Sequence, residues 1–324
     1  MYYYKIKDIY SLFILILISA IYSVAWIKNG LFLDMEFYWE QYLHLKEYGY
    51  TEAVAATFAI TGKLEIGILY LYGIIDYLNL LDKFGFLFLM FIVMQGLILL
   101  AVKNAVNFSV APIFVILIFL SYYSFSQNTY FWRQIIGTAI AIYGVTQPKL
   151  VIKLLLLAIA CAFHYSSILV FSIWLFANFI SKKNPAIYLV LVPLIYFGTK
   201  YFQEVAAIFS GSGTNDILLD ETSYDVVVYS VIFLSIAILL LYRKRFSKKF
   251  NSTTFIDFCL IFCFLAISGT GNQYVIRSFT PASLLIPYVL ALIRTPLSIT
   301  MLIASTYPVV GLIFKIFFMD LKVV

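Results

Sequence analysis

Three features of the sequence predict an all-α fold, a polytopic transmembrane helix bundle of about twelve spans. Hydrophobic residues make up 63% of the 324 and charged residues only 12%, about half the charged share of an ordinary soluble domain. Mean hydropathy is +0.97, and apolar runs of roughly 15–20 residues, close to the length a bilayer demands, recur along the whole chain. Polar residues are confined to interruptions between these runs, with no internal repeat, low-complexity block or soluble domain among them. The chain therefore reads as a single integral membrane domain.

The first run, Ile9 to Ile27, follows Lys5 and Lys7. Ser23-Val24-Ala25 has the small-x-small pattern of a signal-peptide cleavage site, but the run stays apolar through Trp26-Ile27, so it is read as a retained span. Residues 28–65 form a polar, acidic and aromatic stretch expected as an outer loop, with Asp34, Glu36, Tyr38, Trp39, Glu40, His44, Glu47, Glu52 and Glu65. Within it AVAATFAI (53–60) is too short to cross and reads as interfacial or dipping. Further spans are expected over 66–81, 84–102, 110–124, 131–145, 150–163, 165–180 and 186–200. Four more follow over 226–242, 255–268, 278–293 and 297–318. Residues 204–225 and 269–277 read as polar outer loops.

The net charge of +6 does not point to nucleic acid, because most basic residues stand in short clusters between apolar runs, as topology signals do. Lys149 with Lys153, Lys182-Lys183, the RKRFSKK cluster (243–249) and Arg294 are assigned to the cytoplasmic side. Arg133, His164, the acidic 204–225 loop and Arg277 then share the opposite face. The span count conflicts with this in one place, since five spans from a cytoplasmic N-terminus put 147–153 outside. Three arrangements reconcile the two: 48–62 dips through the membrane, 121–132 is re-entrant, or the N-terminus is outside.

The three cysteines, Cys161, Cys259 and Cys263, lie inside apolar runs and read as small hydrophobes. Cys259 and Cys263, four apart on one helix, do not suit disulfide geometry. Two histidines without a second ligand nearby give no metal site. With no GxGxxG and no P-loop, no cofactor is called for.

The stretch from Tyr130 to Ile180 carries the chemistry. A cationic side chain at membrane depth costs at least a few kcal/mol unless it lines a wet cavity or meets a partner. Arg133 opens one apolar run and His164 stands where two others meet. Each of these residues has a plain reading beside the functional one. Arg133 snorkels to head groups, His164 satisfies a helix end, and Arg277 anchors its helix at the interface. Glu65 favours the start of a helix, and Gln134, one residue on from Arg133, faces elsewhere on the helix.

Arg133-Gln134 at a span head, followed by Ala139 and Ala141, is one motif. Another is Ala160-Cys161-Ala162-Phe163-His164 followed by Ser166-Ser167, and a third is Glu65 opening LEIGILYLYGII. In this order they resemble the EpsG-type membrane proteins, a branch of the Wzy-like O-antigen and capsular polysaccharide polymerases. At Glu65 that pattern continues with proline, where this chain has Ile66-Gly67. The resemblance implies a membrane glycosyltransferase of the bacterial cytoplasmic (inner) membrane. It would join undecaprenyl-pyrophosphate-linked repeat units at the outer face, without metal or cofactor. The partners it implies are the lipid-linked glycan, membrane lipid and a polysaccharide chain-length regulator. Arg133, Gln134 and Arg277 would bind pyrophosphate or glycan, an arginine fork matching phosphate oxygens. His164 would be the base in its useful pH range, with Glu65, Asp34 or Glu36 as competing carboxylates. Two other classes stay open: a transporter (flippase) of the same lipid-linked oligosaccharide, and a non-catalytic component of the assembly complex.

Overall fold

The computed structural model describes residues 2–29, 33–61, 66–77, 82–106, 112–121, 123–124, 132–209, 226–246, 250–268 and 272–318. Regular structure among these residues is helical throughout. In the first half α1 (Tyr2–Asn29), α2 (Leu33–Tyr48), α3 (Tyr50–Thr61), α4 (Gly67–Tyr77), α5 (Lys83–Val106) and α6 (Pro112–Phe119) precede α7 (Trp132–Val145), α8 (Leu150–Phe163) and α9 (Ser167–Ile180). A single 3-10 turn at Pro185–Ile187 leads into α10 (Tyr188–Phe209), then α11 (Val226–Phe246), α12 (Phe250–Ser268), α13 (Asn272–Ile293) and α14 (Pro296–Phe318).

Among the described residues, three helices are long and apolar enough to cross a bilayer: α1 over Ile9–Lys28, α5 over Lys83–Ala105 and α14 over Pro296–Phe318. Several other apolar helical stretches are shorter, Leu150–Phe163 and Ser167–Ile180 among them. The 14-residue α8 and α9 each rise about 21 Å, against a hydrocarbon core of about 30 Å.

The stretch expected as an outer loop at 28–65 is helical where described. Met35, Tyr38, Tyr42 and Leu45 recur at i, i+3, i+7 and i+10 and are all buried, so an apolar stripe runs through otherwise acidic sequence. Gly49, at φ 84, makes the left-handed turn from α2 into α3 without a Cβ penalty. Two other expected loops are also partly helical. Residues 204–209 continue α10, because Val205 to Ile208 extend its apolar run, and 272–277 open α13. Residues 210–225 lie outside the described residues.

The chain divides into two compact units, 1–171 with 290–324, and 172–289. In the first, α1 packs on α5, α6 and α14, and α2 packs on α3 and α4. Tyr22 on α1 donates to the Phe119 carbonyl at 2.7 Å and meets Phe91 edge-on at 6.0 Å. The tightest pair is α7 with α8. Gly137, Ala141 and Gly144 form a small-residue seam on α7, which lets the backbones approach as membrane helices do. A Cβ at Gly144 would come 2.8 Å from Leu156 Cβ, and one at Gly137 would come 3.0 Å from the Ala160 carbonyl oxygen.

The second unit is held by a buried ion pair. Arg243 Nε donates to Asp257 Oδ1 at 2.5 Å and Nη2 to Oδ2 at 3.1 Å, while Tyr188 donates to Oδ1 at 2.7 Å. Nη2 also reaches the carbonyls of Ile180 and Lys183 at 3.1 and 3.3 Å, so the guanidinium caps the end of α9. Arg243, the first residue of the RKRFSKK cluster, is 3% exposed, because its carboxylate partner lies fourteen residues on in α12.

Candidate functional site

The seam between α7 and α8 brings Arg133 and His164 to one corner of the first unit. Arg133 is the second residue of α7, and Gly137 stands four residues on, on the same helix face. A Cβ added at Gly137 would lie 3.4 Å from His164 Cβ and 2.5 Å from Ser167 Oγ. The α8–α9 corner therefore packs one turn below Arg133. Ser167 fastens it by donating to the Ala160 carbonyl at 3.1 Å.

His164 ends α8 in an extended conformation, φ −157 and ψ 124, with its N–H bonded to the Ala160 carbonyl at 3.0 Å. Its Nδ1 lies 2.6 Å from Ser166 Oγ and 3.3 Å from the donating Ser166 N–H. An N–H aimed at Nδ1 requires a lone pair there, so the neutral ring carries its proton on Nε2. Nδ1 can take a proton by way of Ser166 Oγ, while Nε2–H offers a donor. The ring stacks on Tyr165 at 4.9 Å between centroids.

Around Arg133 stands a wall of aromatic side chains, part of it from the aromatic stretch at 28–65. The guanidinium lies 6.0 Å from the centroid of Tyr38, and its Nε and Nη1 are buried. Tyr38 stacks on Trp132 at 5.0 Å, and Trp132 meets Phe86 and Phe91 at 6.1 and 5.8 Å. Tyr42 and Tyr72 close the cluster edge to face at 6.1 Å. Trp132 and Tyr72 are fully buried and Tyr38 is 4% exposed, so this wall orients Arg133 and presents no open stacking face. Burial and the Asp76 carboxylate, 3.3 Å away, push the Tyr42 hydroxyl above its usual range and keep it a neutral donor. The signal for the wall lay in the helical spacing of Tyr38 and Tyr42 on α2.

The remaining expected residues fare differently. Gln134 is buried in α7 at 6% exposure. Arg277 lies early in α13 and belongs to the other unit by its place in the chain, its side chain being outside the described residues. Glu65 and the side chain of Asp34 also fall outside the described residues. Glu36 pairs with Lys83 at 3.2 Å. The chain gives no significant match to protein-family models, to curated proteins or to solved structures.

The corner can receive an anion. The first turn of a helix presents N–H groups that lack intrahelical acceptors and a positive dipole end. Here an arginine stands within that turn, with a histidine–serine pair packed one turn below.

Proposed function

We propose that this corner is the lipid-pyrophosphate end of a polysaccharide polymerase. On this reading the chain spans the bacterial cytoplasmic membrane about twelve times, its short apolar helices completing the bundle. It joins undecaprenyl-pyrophosphate-linked repeat units at the outer face. The observation that carries the reading is the packing of the α8–α9 break, with its His164–Ser166 contact, against Gly137, one turn from Arg133 at the head of α7.

The acceptor hydroxyl oxygen forms a bond to the anomeric carbon of the donor glycan, and the bond from that carbon to the pyrophosphate oxygen breaks. The hydroxyl proton passes through Ser166 Oγ to His164 Nδ1. Negative charge released on the pyrophosphate is met by Arg133 and the α7 N–H groups, fixed donors that need no reorganisation as charge develops. Arginine suits this role because its planar fork matches two phosphate oxygens.

The test is a deletion strain complemented with Arg133→Lys and Arg133→Ala, with surface-glycan length read on a gel beside a blot for the tagged protein. Both variants are expected to leave single repeat units while protein level holds, because lysine keeps the charge and loses the fork. Wild-type polymer from Arg133→Ala would reduce Arg133 to an interface anchor. Loss of surface glycan altogether, single units included, would favour a flippase.

A further inference from the structure

A second polar site lies on the other side of α2. Phe37, Glu40, Gln41 and His44 recur at i, i+3, i+4 and i+7, so they form one face of that helix, distinct from the Met35, Tyr38 and Tyr42 stripe. That face looks onto α3, where Ala53, Ala56 and Thr57 stand at i, i+3 and i+4. Two alanines opposite long polar side chains leave a cavity of about 190 Å³ between the helices. Gln41 is 8% exposed. Its Nε2 donates to Thr57 Oγ1 at 3.1 Å, while its Oε1 and His44 Nδ1 are buried without a hydrogen-bond partner among the described residues.

These features select the occupant. A wholly apolar ligand would leave both buried polar atoms unsatisfied, at about 1–3 kcal/mol each. An anion would face the Glu40 carboxylate. A polyol suits all of them, because each hydroxyl both donates and accepts, while the Phe37 ring offers an apolar face to C–H groups. Size narrows the choice further. A cavity of roughly 150 Å³ holds one benzene ring, so about 190 Å³ admits one six-membered ring with its hydroxyls and excludes a second.

We propose that the α2–α3 cavity binds a single neutral pyranose ring, one residue of the glycan, with Gln41, His44 and Glu40 holding its hydroxyls. This rests on the glycan reading of the Arg133 corner and adds a separate saccharide subsite to it. α2 joins the two places, since Tyr38 on its other face packs against Arg133.

The test titrates the full chain in lipid nanodiscs with free hexoses and N-acetylhexosamines, using saturation-transfer NMR. The variants are Ala56→Leu, which fills the cavity, and Gln41→Leu, which keeps volume and removes the amide. Gly198→Ala, which meets nothing within 4 Å, serves as a control outside the cavity, and helicity and elution profile confirm folding. The wild type is expected to bind one ring class. Ala56→Leu abolishes that binding, Gln41→Leu weakens it about tenfold, the loss of one satisfied polar contact, and Gly198→Ala leaves it unchanged. No saccharide signal in the wild type, or a signal that survives in the folded variants, overturns the proposal. The two readings separate cleanly. Cavity-dependent binding with full polymer from Arg133→Ala keeps the subsite and rejects the polymerase corner. Loss of polymer from Arg133→Ala with no saccharide binding does the opposite.

Discussion

Replacing Asp257 by alanine tests the physical reading of the second unit. The carboxylate is fully buried and accepts two hydrogen bonds from Arg243 and one from Tyr188. Truncating it leaves a guanidinium with no carboxylate in a site where it is 3% exposed. Breaking a buried pair in this way costs about 3–5 kcal/mol. Arg243 keeps its two carbonyl bonds, to Ile180 and Lys183, so the loss is expected near the lower figure. Tyr188→Phe removes one bond to a charged acceptor and is expected to cost about 1.5–3 kcal/mol. The double change Arg243→Met with Asp257→Leu removes the stranded charge and fills the space with apolar side chains, which is often neutral. It is expected to recover at least half of the single-variant loss. Thermal and denaturant unfolding of the detergent-solubilised chain should rank Asp257→Ala lowest, with Tyr188→Phe and the double variant above it. Wild-type stability in Asp257→Ala would show that the pair has no net energetic role. A double variant as unstable as Asp257→Ala would show that the carboxylate acts through something other than Arg243.

Gly137→Ala brings a Cβ to 2.5 Å from Ser167 Oγ and 3.0 Å from a backbone carbonyl, and should destabilise by about 1–3 kcal/mol through overpacking. Gly198→Ala in α10 meets nothing within 4 Å and should stabilise by up to about 1 kcal/mol in the same unfolding assay; equal behaviour of the two would refute the seam. His164→Gln and His164→Asn should accumulate normally and make almost no polymer, and long polymer from a well-expressed His164→Gln strain would exclude the proton-accepting role. A phosphatase or fluorescent reporter fused after Lys183 should report the cytoplasmic side, and an external signal there would undo the shared face of Arg133 and His164.

The helical class was legible in the long apolar runs, and helix ends were legible where charges stood at them, as at Lys83 and Arg294. The break at His164 was legible too: the expected runs 150–163 and 165–180 meet there, and the extended φ and ψ of His164 end α8. Periodicity in α2 was hidden because its buried stripe contains tyrosines, which count as polar or apolar according to what they pack on. The approach of His164 to Gly137, one turn along from Arg133, was not legible, because it requires knowing that α8 folds back along α7. Nothing local in RKRFSKK marks Arg243 as buried, because the carboxylate that meets it, Asp257, lies in the next helix.

The two arginines differ in how they meet the helix dipole, and this separates stability from function. Arg243 stands near the C-terminal end of α11 and caps the carbonyl end of α9, where positive charge is favoured. Arg133 stands in the first turn of α7, where the dipole opposes it by about 0.3–1 kcal/mol. Its guanidinium also lies over the Tyr38 ring, a contact worth about 0.5–1 kcal/mol. An arginine set against the dipole of its own helix breaks a local rule, and such departures concentrate at functional sites. Arg243→Gln therefore belongs with the destabilising changes around Asp257, while Arg133→Gln should melt close to wild type and lose polymer. A strongly destabilised Arg133→Gln would place Arg133 among the structural cations and move the search for a pyrophosphate group elsewhere in the first unit.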